Sequence, residues 1–98
     1  MVLMLMKGLK EAERLFFYAI SQRNIEIVRF LVENGANINA TDQVGLTPLH
    51  YAIGKNDFKI TRFLVESGSN INVIDQYGAS VLHLAVWKSN LDIIHYII

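Results

Sequence analysis

Residues 62–72 read RFLVESGSNIN, and residues 29–39 read RFLVENGANIN. The two stretches lie 33 positions apart, and the correspondence runs on in both directions without a gap. Asp42 falls on Asp75, Gln43 on Gln76, Gly45 on Gly78, Leu49-His50 on Leu82-His83, and Ala52 on Ala85; backwards, Ala52 meets Ala19 and Ile60 meets Ile27. A fixed period of this length marks a repeat architecture. No unit so small can bury its own apolar face, so neighbours have to stack.

Each unit reads as a pair of helices. Thr47 is placed to cap a first helix, with Pro48 at the position where a missing N–H costs nothing, and that helix runs to about Lys55. A second helix is expected from Asp57 to Ser67, where Phe58, Ile60, Phe63, Leu64 and Val65 form a broad apolar face. Gly68 and Gly35 stop the second helices, because glycine accepts a left-handed backbone. Each is followed by Asn-Ile-Asn and then Asp-Gln-x-Gly, a turn-rich link to the next unit. The core is expected at positions that keep their character: Ala19/Ala52/Ala85, Ile27/Ile60/Ile93, Phe30/Phe63/Tyr96 and Leu31/Leu64/Ile97.

DQVGLTPLHYA (42–52) followed by RFLVESGSNIN resembles the ankyrin repeat, whose signature includes T-P-L-H-x-A at this period. The resemblance covers nearly all of the chain after residue 10. It implies an all-α solenoid of stacked helix-turn-helix units joined by hairpin-like loops, forming a single domain over 1–98. The units are 11–40, 41–73 and 74–98, the last incomplete. Unit one carries Arg14-Leu15-Phe16-Phe17 in place of the T-P-L-H segment, and unit three has Ser80-Val81 for Thr-Pro. Between paired helices, where the family has glycine, this chain has Arg23, Asn56 and Ser89. Asparagine tolerates the left-handed region better than arginine or serine, so turns one and three are expected to be looser.

Composition narrows the function. Nine basic and nine acidic residues balance, and no Lys/Arg run occurs, which argues against nucleic acid as partner. There is no cysteine, which excludes thiol catalysis and cysteine-bound zinc and suits a reducing, cytoplasmic setting. The opening MVLMLM is too short for a secretory signal and reads as an apolar lead-in that packs on the first helix. No stretch approaches the ~18 apolar residues of a membrane span. Frequent Asn, Ile and Lys suit an A+T-rich gene, as in many intracellular bacteria, large DNA viruses and protists, and hence a setting inside a host cell.

Thr47 with His50 and Ser80 with His83 could be read as hydroxyl–imidazole pairs of an active site. The capping reading is simpler. The hydroxyl aims at the N–H three residues on, and the histidine reaches back to the cap residue. The resemblance implies the same structural role for Thr47, Pro48, Leu49, His50 and Ala52, and for Ser80, Leu82, His83 and Ala85. His50 and His83 lie one unit apart and are not expected to converge on a common pocket. Asp42 and Asp75 are expected to brace their loops, and His95 to lie on the surface. No catalytic group, metal site or cofactor is expected, and the protein is not expected to be an enzyme.

Function should then sit where the repeats differ. Ankyrin-like proteins bind other proteins through loop tips and the concave side of the first helices. On this chain that surface comprises Gln43, Val44, Leu46 and Lys55, then Gln76, Tyr77, Ala79, Trp87 and Lys88. Trp87 and Tyr77 are the strongest anchor candidates, since aromatic side chains dominate interface energies. The alternative is a structural segment of a longer scaffold with no external partner. The apolar ending Ile93, Ile94, Tyr96, Ile97 and Ile98 is expected at an uncovered edge, open to further repeats or self-association. The resemblance also implies Asn39 and Asn72 as hydroxylation positions, set against their simpler role as loop braces.

Overall fold

The computed structural model describes residues 10–98, so the reading of MVLMLM as a packed lead-in lies outside the described residues. Six helices follow one another: α1 (Glu11–Ser21), α2 (Ile25–Glu33), α3 (Pro48–Gly54), α4 (Phe58–Glu66), α5 (Val81–Trp87) and α6 (Leu91–Ile97). They pair as α1–α2, α3–α4 and α5–α6. The first helices α1, α3 and α5 stack side by side in one layer, and α2, α4 and α6 in a second. The described residues are helical apart from loops and one isolated antiparallel bridge, Ile74 to Ser80. One core runs through the layers, with Phe16, Ile20, Val28, Leu49, Ile53, Ile60, Leu64, Val81 and Ile93 almost fully buried.

Helix ends follow one scheme. The second helices are capped by Asn24, Asp57 and Asn90, whose side chains accept the N–H groups of Ile27, Ile60 and Ile93. The first helices end where the N–H of that same cap residue bonds the carbonyl of Ala19, Ala52 or Ala85. This six-to-one closure requires a left-handed residue just before the cap. Arg23, Asn56 and Ser89 take it at φ 59°, 55° and 55°. Turns one and three are therefore as tight as turn two, contrary to expectation, because the closing hydrogen bonds offset the conformational cost. The turns also tie units together. Arg23 Nε donates to Asp57 Oδ2 at 3.3 Å, and in the next unit Asn90 Nδ2 donates to Asn56 Oδ1 at 3.4 Å. In both, the left-handed residue of one unit meets the helix cap of the following one.

Two expectations about packing are corrected. Ile27 is 45% exposed, although its counterparts Ile60 and Ile93 are fully buried, and Phe30 is 59% exposed where its counterparts Phe63 and Tyr96 are half-buried. The face that Ile60 and Ile93 present is covered by the preceding unit's helix, and no described unit precedes the first. Conversely, Ile93 is core rather than edge, because α4 lies over it, while Ile98 is 85% exposed. Helix α1 also begins a turn earlier than the repeat register suggests. Arg14 stands where Thr47 caps α3, so no cap or proline stops the helix from starting at Glu11.

The loops are laced by main-chain and carboxamide contacts. Asn39 Oδ1 accepts the Asn70 N–H at 2.9 Å, and the Val44 carbonyl accepts the Gln76 N–H at 3.0 Å. Gly45 sits beneath this second bond at φ 85°, where an added Cβ would lie 3.3 Å from Gln76 N.

Candidate interaction groove

The local device at the start of α3 is built as follows. The Thr47 N–H donates to His50 Nδ1 at 3.0 Å, and the His50 N–H donates to Thr47 Oγ1 at 3.4 Å. Ser80 and His83 repeat this at the start of α5, at 3.2 Å in each direction. Because Nδ1 accepts a main-chain N–H, the ring proton is on Nε2. Each hydroxyl lies close to its imidazole, 2.9 Å for Thr47 and 2.8 Å for Ser80. Both partners are nonetheless committed to the helix start. Pro48, Leu49 and Ala52 are buried behind the first cap; Ala85 is buried and Leu82 half-buried behind the second.

His50 and His83 differ in surroundings. His50 is 2% exposed, whereas His83 is open to solvent. Burial lowers the His50 pKa from its ordinary value, and the Ala79 carbonyl with the charges of Asp75 and Asp42 partly opposes this. His50 Nε2 is sealed and completes no hydrogen bond of good geometry, so the Ala79 carbonyl acts on it as a nearby dipole. The acids brace their loops. Asp42 Oδ1 accepts the Val44 and Leu46 N–H groups, and Asp75 Oδ1 those of Tyr77 and Ala79. The Ala79 and Tyr77 N–H groups hold the Asp75 carboxyl below its usual range, against some desolvation. Burial and a hydrogen bond to Asp42 raise the Tyr51 phenol.

A groove of about 450 Å³ opens between units two and three. Its apolar lining comes from Leu46, Tyr51, Gly54, Ala79, Leu84 and Trp87, and its polar groups from Lys55, Asp75 and the two histidines. His50 and His83 thus do share a pocket wall, contrary to the expectation that they would not. Successive copies of one position on stacked helices necessarily flank the same inter-unit groove. Their Nδ1 atoms stay turned into their own caps.

Of the residues singled out from sequence, the groove brings together Leu46, Lys55, Ala79 and Trp87. It does not include Gln43, Val44, Gln76, Tyr77 or Lys88. Gln43, Gln76 and Tyr77 are exposed on the loops, Val44 is half-buried there, and Lys88 faces a separate polar hollow with Asn56 and Asp92. Trp87 and Tyr77 are 84% and 79% exposed. Tyr51, Gly54 and Leu84 were not anticipated as groove residues. Their signal was present, since Tyr51/Leu84 and Ser21/Gly54/Trp87 are positions where the units disagree. His95 is exposed. Among the described residues no three His, Cys, Asp or Glu gather as a metal site, and no helix is long and apolar enough to cross a membrane.

A family model of ankyrin repeats, in three copies, matches residues 15–98. The chain belongs to the ankyrin-repeat family. Ankyrin repeats generally serve as protein–protein interaction modules and are typically non-catalytic. No curated protein matches the chain. In these ankyrin repeats the stacked first helices supply the groove, and the tips of the intervening loops flank it.

Proposed function

We propose that the protein is a non-catalytic interaction module that docks another protein in the groove between units two and three, with Tyr77 and the loop tips as a second contact. The carrying observation is the groove itself, an apolar cleft of about 450 Å³ walled by a tryptophan that is 84% exposed. An aromatic side chain so open to solvent contributes little to the fold and much to an interface. The balanced charge speaks for protein over nucleic acid as partner, and a cysteine-free chain suits a cytoplasmic setting.

The test is the double substitution Trp87→Ala and Tyr77→Ala, with partner capture from the native host and a thermal melt read in parallel. The interaction reading expects capture to be lost and the melt to stay put. A second reading, a segment of a longer scaffold, draws on Val86, Leu91 and Ile98, which are 57%, 77% and 85% exposed where a following unit would cover them. It expects the reverse outcome in the full-length protein: unchanged capture and a lowered melt.

A further inference from the structure

The two ends of the groove differ in charge, and one repeat position decides whether the acidic end is left without a partner. Tyr51 and Leu84 occupy the same place in successive units. In unit two, Asp42 employs both carboxylate oxygens: Oδ1 takes main-chain N–H groups and Oδ2 accepts the Tyr51 hydroxyl at 2.8 Å. Asp75 reproduces only the first half. Leu84 has no hydroxyl to offer, so Asp75 Oδ2 has no hydrogen bond among the described residues, and Asp75 stands in the groove wall at its loop end. Lys55 lies at the other end, just past the last residue of α3, and forms no ion pair among the described residues. Asp75 belongs to the loop that leads into α5 and Lys55 follows the end of α3, so the two charges stand at opposite ends of the stacked first helices. Between them Gly54 adds no side chain, where the next unit carries Trp87 at the same position, and the walls are Tyr51, Leu84 and Trp87.

We infer that the groove selects an extended segment of a partner protein with a basic residue at one end, a large apolar side chain in the middle and an acidic residue at the other end. The inference rests on the docking reading above and adds the chemistry of the partner. In an extended strand, alternate residues face the same side at about 3.3 Å per residue, so positions i, i+2 and i+4 meet Asp75, the apolar walls and Lys55 in turn. The Asp75 oxygen seeks a donor, and the Lys55 ammonium seeks an acceptor. A segment of one charge sign satisfies one end and is repelled at the other.

The probes are blocked pentapeptides KSFSE, QSFSQ, KSFSK and ESFSE, titrated into the isotopically labelled full chain while the Leu84 amide and Trp87 indole signals are followed. KSFSE is expected to bind about five-fold more tightly than QSFSQ at low salt, as two exposed ion pairs would give. The preference should shrink at about 0.5 M salt. Asp75→Asn, which removes the charge, should abolish the advantage of the basic end; Leu84→Tyr, which supplies Asp75 with the phenol that Asp42 already has, should only reduce it, because the carboxylate keeps its charge. Equal binding of KSFSE and QSFSQ overturns the inference and leaves the docking reading standing, as does tighter binding of KSFSK or ESFSE. If no peptide moves the groove signals, the inference and the groove's role as docking surface fall together.

Discussion

His50 and His83 are the same residue in the same local structure, yet one is sealed and the other open. Each takes the N–H of its cap residue on Nδ1 and returns its own N–H to the cap hydroxyl. The difference comes from outside the helix. The Asp75–Ala79 loop of unit three lies over His50, and no described residue does the same for His83. Local chemistry is repeated from unit to unit, whereas burial is conferred by the neighbour. The second helices show the same contrast: Leu64 is fully buried between units, and its counterpart Ile97 is only half-buried.

The largest effect should come from that second pair. Leu64→Ala is expected to cost about 2–5 kcal/mol, the usual penalty for a cavity in a closed core. Ile97→Ala should cost less than half as much, and equal losses in urea unfolding would contradict the neighbour rule. Thr47→Ala should cost about 1 kcal/mol by removing a cap. Ser80→Ala should cost less, because the groups it leaves unpaired are open to water. Ser89→Gly is expected to stabilise by up to about 1 kcal/mol, since glycine adopts φ near 55° without strain. The readout is a raised melting temperature.

The smallest comparison is by pH. Burial lowers the His50 pKa below its ordinary 6.5, so between that value and the folded one the unfolded chain binds a proton that the folded chain refuses. Stability should therefore be full above pH 6.5, fall as the pH drops below it, and level off beneath the folded value. His50→Gln keeps a side chain able to complete the cap but has nothing to titrate. Urea midpoints of the two proteins between about pH 5 and 7 should converge as the pH falls. Parallel curves would show that His50 is not the group responsible.

Much of the fold was legible because the repeat states each position more than once. Thr47-Pro48 at a helix start, Gly35 and Gly68 at helix ends and Leu64 in the core are all dictated by local geometry or by a conserved apolar period within the chain. The errors arose where a residue's fate depends on what lies beside it. Ile27 and Phe30 carry the core pattern yet face no described unit, and Ile93 looks terminal yet sits under α4. The groove was half legible. Variation between units pointed to Leu46, Ala79 and Trp87 and the family resemblance to Lys55, but Tyr51, Gly54 and Leu84 matter only once two helices are set side by side.

The main-chain bond from Gln76 to Val44, closed over Gly45, joins neighbouring loops without using a single side chain. Apart from proline at 76, which has no N–H to donate, side chains at 43, 44, 76 and 77 can change without breaking the joint, provided the glycine is kept. The tips can therefore be rewritten to suit a new target while the framework beneath them is left undisturbed, which separates the inheritance of shape from the inheritance of affinity.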